Sequence, residues 1–143
     1  MRPQDGSGKP RQLTTGADTY KYDPLWSPDS RYIAWSDKKN RLQFVQVGTK
    51  EVTLVARSDA WEINDFAWAP DSRWMAFTRP EARKFANIHL FHLDDRQTVQ
   101  VTDGWFEANA PEFSSDGKYL FFVSERSFKP TYSSTECNHV YTD

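Results

Sequence analysis

An all-β chain made of repeated four-stranded antiparallel units is what three observations in the sequence predict. The ten residues from Trp26 to Trp35, WSPDSRYIAW, return as WAPDSRWMAF from Trp68 to Phe77 and as FSSDGKYLFF from Phe113 to Phe122, at spacings of 42 and 45 residues. The apolar residues that follow each phrase alternate with period two, and no segment carries a useful length of helical spacing. The composition, with 6 Trp, 6 Tyr and 10 Phe in a chain only 38% hydrophobic and 27% charged, suits short half-buried strands. A repeat of this period with four short strands in each copy is the signature of β-propeller blades.

Each element follows from the residues in turn. The repeated phrase is a β-hairpin whose turn reads Ser27-Pro28-Asp29-Ser30, then Ala69-Pro70-Asp71-Ser72, then Ser114-Ser115-Asp116-Gly117. Proline presets φ for the first central position, aspartate bonds its own backbone, and Ser or Gly follows where the strand resumes. In the next strand Tyr32, Ala34 and Ser36 oppose Ile33 and Trp35; in the second copy Trp74, Ala76 and Thr78 oppose Met75 and Phe77. The third copy, KYLFFVS from Lys118 to Ser124, is apolar on both faces. RLQFVQV and EVTLVA supply two more strands after the first hairpin, and NIHLFHL and TVQVTD two more after the second. The polar breaks VGTK (Val47 to Lys50) and DDRQ (Asp94 to Gln97) are hairpin loops.

The repeat also sets the expected boundaries. Residues 1–11 read as a leader, disordered or added ahead of the fold. Gln12-Leu13-Thr14 matches Gln100-Val101-Thr102, so residues 12–16 read as the outermost strand of a preceding blade. Residues 17–57 and 58–103 make two whole blades, and residues 104–143 an incomplete one in which Val140 and Tyr141 begin a third strand. This partial propeller of about three blades falls short of the roughly four at which a ring closes. It implies completion by further sequence or by a second copy, with self-association through the open edges at RQLTT and NHVY.

Formal net charge is -2, with both signs interspersed, which argues against nucleic acid or an anionic membrane as partner. No apolar run approaches the roughly 20 residues of a membrane-spanning helix, and the first residues lack the apolar core of a secretion signal. With a single cysteine, Cys137, the composition leans toward a cytoplasmic setting, unless a secretion signal stands ahead of Met1 in a longer chain.

The search for chemistry predicts no catalytic residue, no cofactor and no metal. His89 and His92, three apart on one strand, project to opposite faces and cannot share an ion. Glu136, Cys137 and His139 lack a further ligand at a defined spacing. No serine stands in a G-x-S-x-G elbow, and no glycine-rich loop is present to cradle phosphate. Asp29, Asp71 and Asp116 recur at one turn position, as a structural residue does, and most of the recurring tryptophans, Trp26, Trp35, Trp68 and Trp74, belong to packing between blades rather than to a carbohydrate platform. The one irregular feature is RPEARKFA, Arg79 to Ala86, which lengthens a loop by four residues relative to the first copy. Its Arg79, Arg83 and Lys84 are the candidate peptide-binding residues, suited to a carboxylate, with a solvated charged loop as the plainer reading.

The Pro-Asp-Ser/Gly hairpins resemble the repeats of TolB, prolyl oligopeptidase relatives and tricorn proteases. The stretch from Phe77 to Tyr141 resembles, more specifically, the end of the second propeller of bacterial tricorn-protease homologues. In those proteins an asparagine-aromatic-x-Pro-Thr segment and an acid-x-asparagine-x-x-Tyr segment close the domain; in this chain they read SFKPT, from Ser127 to Thr131, and ECNHVY, from Glu136 to Tyr141, with Ser127 and Lys129 departing from the pattern. The resemblance runs from Gln12 onward. It implies a non-catalytic propeller segment of a large serine peptidase, helping to form a peptide channel and to support catalytic domains that lie elsewhere, with peptides and those domains as partners. A stand-alone scaffold of the TolB type for protein partners is the alternative.

Overall fold

The computed structural model describes residues 1–2 and 5–126, so the strand expected at Val140–Tyr141, the edge NHVY and the Glu136, Cys137 and His139 group lie outside the described residues. The described residues form ten strands and no helix. β1 (Lys21–Trp26), β2 (Tyr32–Asp37), β3 (Arg41–Gln46) and β4 (Val52–Arg57) make one antiparallel sheet in sequence order. β5 (Phe66–Trp68), β6 (Trp74–Arg79), β7 (Asn87–His92) and β8 (Gln97–Gln100) make a second, and β9 (Ala108–Phe113) pairs with β10 (Leu120–Ser124) in a third. This is the blade topology that the repeat predicts.

The hairpin turns are built as the phrase suggests. The backbone N–H groups of Ser30, Ser72 and Gly117 each donate at 2.9 Å to the carbonyl three residues earlier, and all three residues adopt positive φ. The aspartate before each accepts from the backbone N–H two residues on: Asp29 from Arg31, Asp71 from Arg73 and Asp116 from Lys118. Where the first turn residue is serine its hydroxyl joins the same carboxylate, Ser27 to Asp29 at 2.7 Å and Ser114 to Asp116 at 2.6 Å. Successive turns also touch. Asp29 N donates to Ser72 Oγ at 3.1 Å, and the α-carbon side of Gly117, where a methyl would sit 3.8 Å from Pro70 Cδ, faces the preceding turn.

Innermost strands are sheet edges, and they tolerate what a central strand would not. Asp23-Pro24 in β1 and Ala110-Pro111 in β9 carry a positive-φ residue before a proline, and the pairing register shifts at both places. Proline removes a donor that has no ladder partner on that side, and the bulge restores the alternation.

The core lies between the first two sheets. Ala34, Leu42, Phe44 and Val55 from one meet Trp68, Met75, Phe77 and Phe91 from the other, with Ile63 of the connection fully enclosed. An aromatic ladder crosses the gap: Tyr32 stacks on Trp68 at 5.9 Å, and Phe44 meets Trp68 edge-on at 6.0 Å and Phe91 at 6.2 Å. Each fully buried Phe contributes about 2–3 kcal/mol of transfer free energy.

Gln12-Leu13-Thr14 makes no ladder among the described residues; a strand exists only where a ladder holds it, and no described strand lies alongside. Leu13 and Thr14 instead flank the outer face of the first sheet, beside Pro24, Ile33, Trp35 and Val45. The tryptophans are also not uniformly packed. Trp35 and Trp68 are buried, whereas Trp26 is 44% exposed on the face where no described blade precedes it.

Candidate functional site

Because consecutive strands run antiparallel, the Pro-Asp turns and the β3–β4 and β7–β8 loops gather at one end of the arc. The β2–β3 and β6–β7 loops and the two connections between sheets gather at the other. The first end is tied down by its turn hydrogen bonds, while the second carries the long loops and the irregular residues, so it is the candidate site.

Three aromatic residues stand out there. Tyr20, Trp61 and Trp105 are 74%, 77% and 75% exposed, and each follows an aspartate by two positions: Asp18-Thr19-Tyr20, Asp59-Ala60-Trp61, Asp103-Gly104-Trp105. The aspartates are fastened to the scaffold. Asp18 accepts from Lys39 Nζ at 2.8 Å and Arg41 Nη2 at 2.7 Å, and these cations hold its carboxyl far below the usual range. Asp59 accepts from Ala82 N at 3.3 Å, and Asp103 from Trp105 N at 3.1 Å. Arg41 is shared with the buried Asp37, which also accepts the backbone N–H groups of Lys39 and Arg41. This repeated Asp-x-aromatic pattern is legible in the sequence at spacings of 41 and 44 residues, though hidden by the changing middle and aromatic letters.

The long loop between β6 and β7 divides its predicted residues. Arg83, in the left-handed region at φ 64°, and Lys84 line one open hollow of about 480 Å³ together with Phe85 and Gly104. Lys84 pairs with Glu81 at 3.2 Å. Arg79 is not with them: it ends β6, half-buried, and its Nε has no hydrogen-bond partner among the described residues. The base of the loop is anchored to the next blade. Asn87, 3% exposed, donates to Phe85 O and accepts from Thr102 Oγ1, and Ala86 N donates to Glu107 Oε2.

On the other side of this loop a second hollow, about 390 Å³, is lined by Trp61, Glu62, Asn64, Asp65, Thr78 and Pro80. Ser58 joins its walls, donating to Pro80 O at 2.7 Å and accepting from Ala60 N at 3.1 Å and Trp61 N at 3.2 Å.

The remaining titratable candidates are spoken for by packing. His89 stacks on Phe77 at 5.5 Å, and burial pushes its pKa down; His92 stacks on Trp74 at 4.2 Å on the opposite face. Among the described residues no three His, Cys, Asp or Glu side chains group as metal ligands, and no helix is long and apolar enough to cross a membrane.

Comparison with known proteins places this arrangement. A family model described as the tricorn protease second beta propeller domain matches residues 1–143. A tricorn-like protease C-terminal subunit of Sulfurisphaera tokodaii is 32% identical over 105 residues, covering 73% of this chain and 12% of the relative. The crystal structure of the tricorn protease superposes with a TM-score of 0.72 at 22% identity, over 80% of this chain and 12% of that one. TolB from Acinetobacter baumannii superposes at 0.63 and 21% identity, over 87% of this chain and 31% of that one. At such identities the two structural likenesses speak for the fold. The chain spans about an eighth of the length of these tricorn relatives.

Proposed function

This chain belongs to the family of tricorn second β-propeller domains, and from that premise we propose that it is a non-catalytic wall of a peptide passage in a larger serine peptidase. The observation that carries the proposal is the match of the family model to residues 1–143, joined to an arc whose loop end is rich in exposed aromatic and charged residues. The chain's part is to shape, and to hold peptides at, the mouth of the passage, while catalysis belongs to other domains. Arg83 and Lys84 are the residues proposed to meet a peptide carboxylate by charge-assisted hydrogen bonds, and Arg79 supports the loop from the strand end. Blade boundaries at 17–57, 58–103 and 104–143, a cytoplasmic setting, and association with further blades or a second copy through the open edges are parts of the same proposal.

The test uses the whole peptidase encoded with this segment. Arg83→Glu with Lys84→Glu should raise KM about threefold to tenfold for peptides ending in a free carboxylate, with kcat and the KM for their C-terminal amides unchanged. Equal effects on acid and amide would refute the assignment. Hydrolysis by the isolated chain, persisting through repurification, would refute the non-catalytic reading.

A further inference from the structure

We propose that the face of the third sheet left uncovered among the described residues is an interface for a further β-blade of inverted shape. Such a blade brings a small side chain, Gly, Ala or Ser, to the position where the blades of this chain carry Trp26, Trp68 and Phe113. The proposal rests on the reading that further blades cover the open end of the arc, and adds what that neighbour must look like. Its template is the pair of junctions already formed inside the chain.

At the first junction the near side is small and the far side is large. Ala34 is fully buried, and Trp68 of the next sheet crosses to its face: the indole stacks on Tyr32 at 5.9 Å, and its Nε1 donates at 3.3 Å to the carbonyl of Leu25, the ladder partner of Ala34. The second junction repeats the plan. Ala76, also fully buried, pairs with Ala67, and β9, which ends in Phe113 at the place of Trp68, packs on β5, β6 and β7. A ring from the following blade has room at each because the residue two after Tyr32 or Trp74 is alanine.

The third sheet departs from this rule. The ladder pair in the same register is Glu112 with Phe121, so phenylalanine stands where both junctions have alanine. Phe121 is 60% exposed, and its ring lies 6.5 Å from that of Tyr119, the counterpart of Tyr32. It thus supplies from its own strand the ring that Trp68 brings to Tyr32 from the next blade. Val123, at the place of Ser36 and Thr78, adds bulk on the same face. Glu112 stands where Leu25 and Ala67 are apolar, so a ring laid over this pair would also bury a carboxylate.

A neighbour built like the blades of this chain would therefore meet ring against ring, and close-packed interfaces do not absorb a whole side chain. A neighbour with a small residue in that column offers a recess that Phe121 fills. Tyr119, Phe121 and Val123 together form an apolar patch that calls for such a cover.

The chain itself offers both shapes for a test. Trp26, 44% exposed, holds the Trp68 position on the outer face of the first sheet, so a second copy adding head to tail would bring Trp26 against Phe121. Sedimentation equilibrium of the full chain compares wild type, Trp26→Ala, Phe121→Ala and the double variant, each confirmed as natively folded by circular dichroism. Each single replacement should tighten head-to-tail association about tenfold, Trp26→Ala by opening a recess for Phe121 and Phe121→Ala by restoring the alanine seat for Trp26. The double variant, with a recess on both sides, should fall back to the wild-type level or below. The sign is diagnostic, because loss of exposed apolar surface alone would weaken association in all three variants. Weakened or unchanged association in Trp26→Ala, or a double variant as tight as the singles, would overturn the proposal. Self-association that ignores both residues would overturn it too, while keeping the broader reading that the chain associates, through another surface.

Discussion

Replacing Asp37 with alanine is the most direct probe of what holds the loop end in place. The carboxylate is 1% exposed and accepts from Lys39 N at 2.9 Å, Arg41 N at 3.2 Å and Arg41 Nε at 2.7 Å. Its loss strands two turn N–H groups and half-frees a guanidinium. An unsatisfied buried donor costs about 1–3 kcal/mol, and breaking a buried ion pair about 3–5 kcal/mol. Arg41 keeps its contact with Asp18 and is 22% exposed, so water relieves part of the loss and the expected cost is about 3 kcal/mol. Asp71→Ala is the comparator: its carboxylate makes one backbone bond, to Arg73 N at 2.9 Å in an exposed turn, and about 1 kcal/mol is expected. Urea denaturation of both variants, followed by circular dichroism with the m-value checked for constancy, reads the difference. If the two substitutions cost the same at equal m-values, the buried Asp37 group is not what fastens the loop.

Three more expectations concern pH, backbone strain and assembly. Burial holds His89 below its ordinary value of 6.5, so the unfolded chain takes that proton first; the stability it contributes is full above about pH 6.5 and is lost as pH falls toward the folded pKa. Asp18, held down by Lys39 and Arg41, and Asp94, held down by Arg73, follow the same sign from their ordinary value of 3.8 downward. Denaturation measured between pH 8 and pH 3 should therefore show two descending steps, and His89→Phe should erase the first; a first step that survives would assign it elsewhere. Ser30 sits at φ 59° and makes no side-chain bond among the described residues at that exposed turn, so Ser30→Gly should raise stability by about 0.5 kcal/mol, and a loss instead would mean the hydroxyl matters. Tyr119, Phe121 and Val123 are more than half exposed on the last sheet, so the isolated chain should dimerise or bind a hydrophobic dye in light-scattering and fluorescence measurements. A dye-free, natively folded monomer would contradict this.

Local consequences of the repeat are the part of the structure most legible in the sequence. The Pro-Asp turns, the alternation in β2 and β6 and the opposed faces of His89 and His92 follow from neighbouring residues alone. Long-range placement is less legible. Leu13 matches Val101 and so reads as a strand residue, but pairing belongs to the partner as much as to the residue. Arg79 shares a loop in sequence with Arg83 and Lys84, yet it still obeys the parity of β6 and stays half-buried against the sheet. The second hollow draws Trp61 and Asp65 from one connection and Thr78 from a strand beyond the next turn, and no local pattern announces that meeting. The Asp-x-aromatic repeat is readable but faint, because Tyr20, Trp61 and Trp105 differ in kind.

The contacts between successive Pro-Asp turns act as an address for each blade. Ser72 offers its hydroxyl to the turn before it, through Asp29 N, while Gly117, at the same place in the next repeat, offers only room beside Pro70. The two junctions are thus keyed differently although the phrases that form them read almost alike. A blade transplanted from the third position to the second would keep its own hairpin and still lose a contact, because glycine in place of Ser72 would leave Asp29 N without its acceptor, whereas serine in place of Gly117 would bring its Cβ only to ordinary contact distance from the proline ring. One contact that distinguishes the first junction from the second thus lies at the end of the arc remote from both hollows, where changes of length and charge in the opposite loops do not reach it.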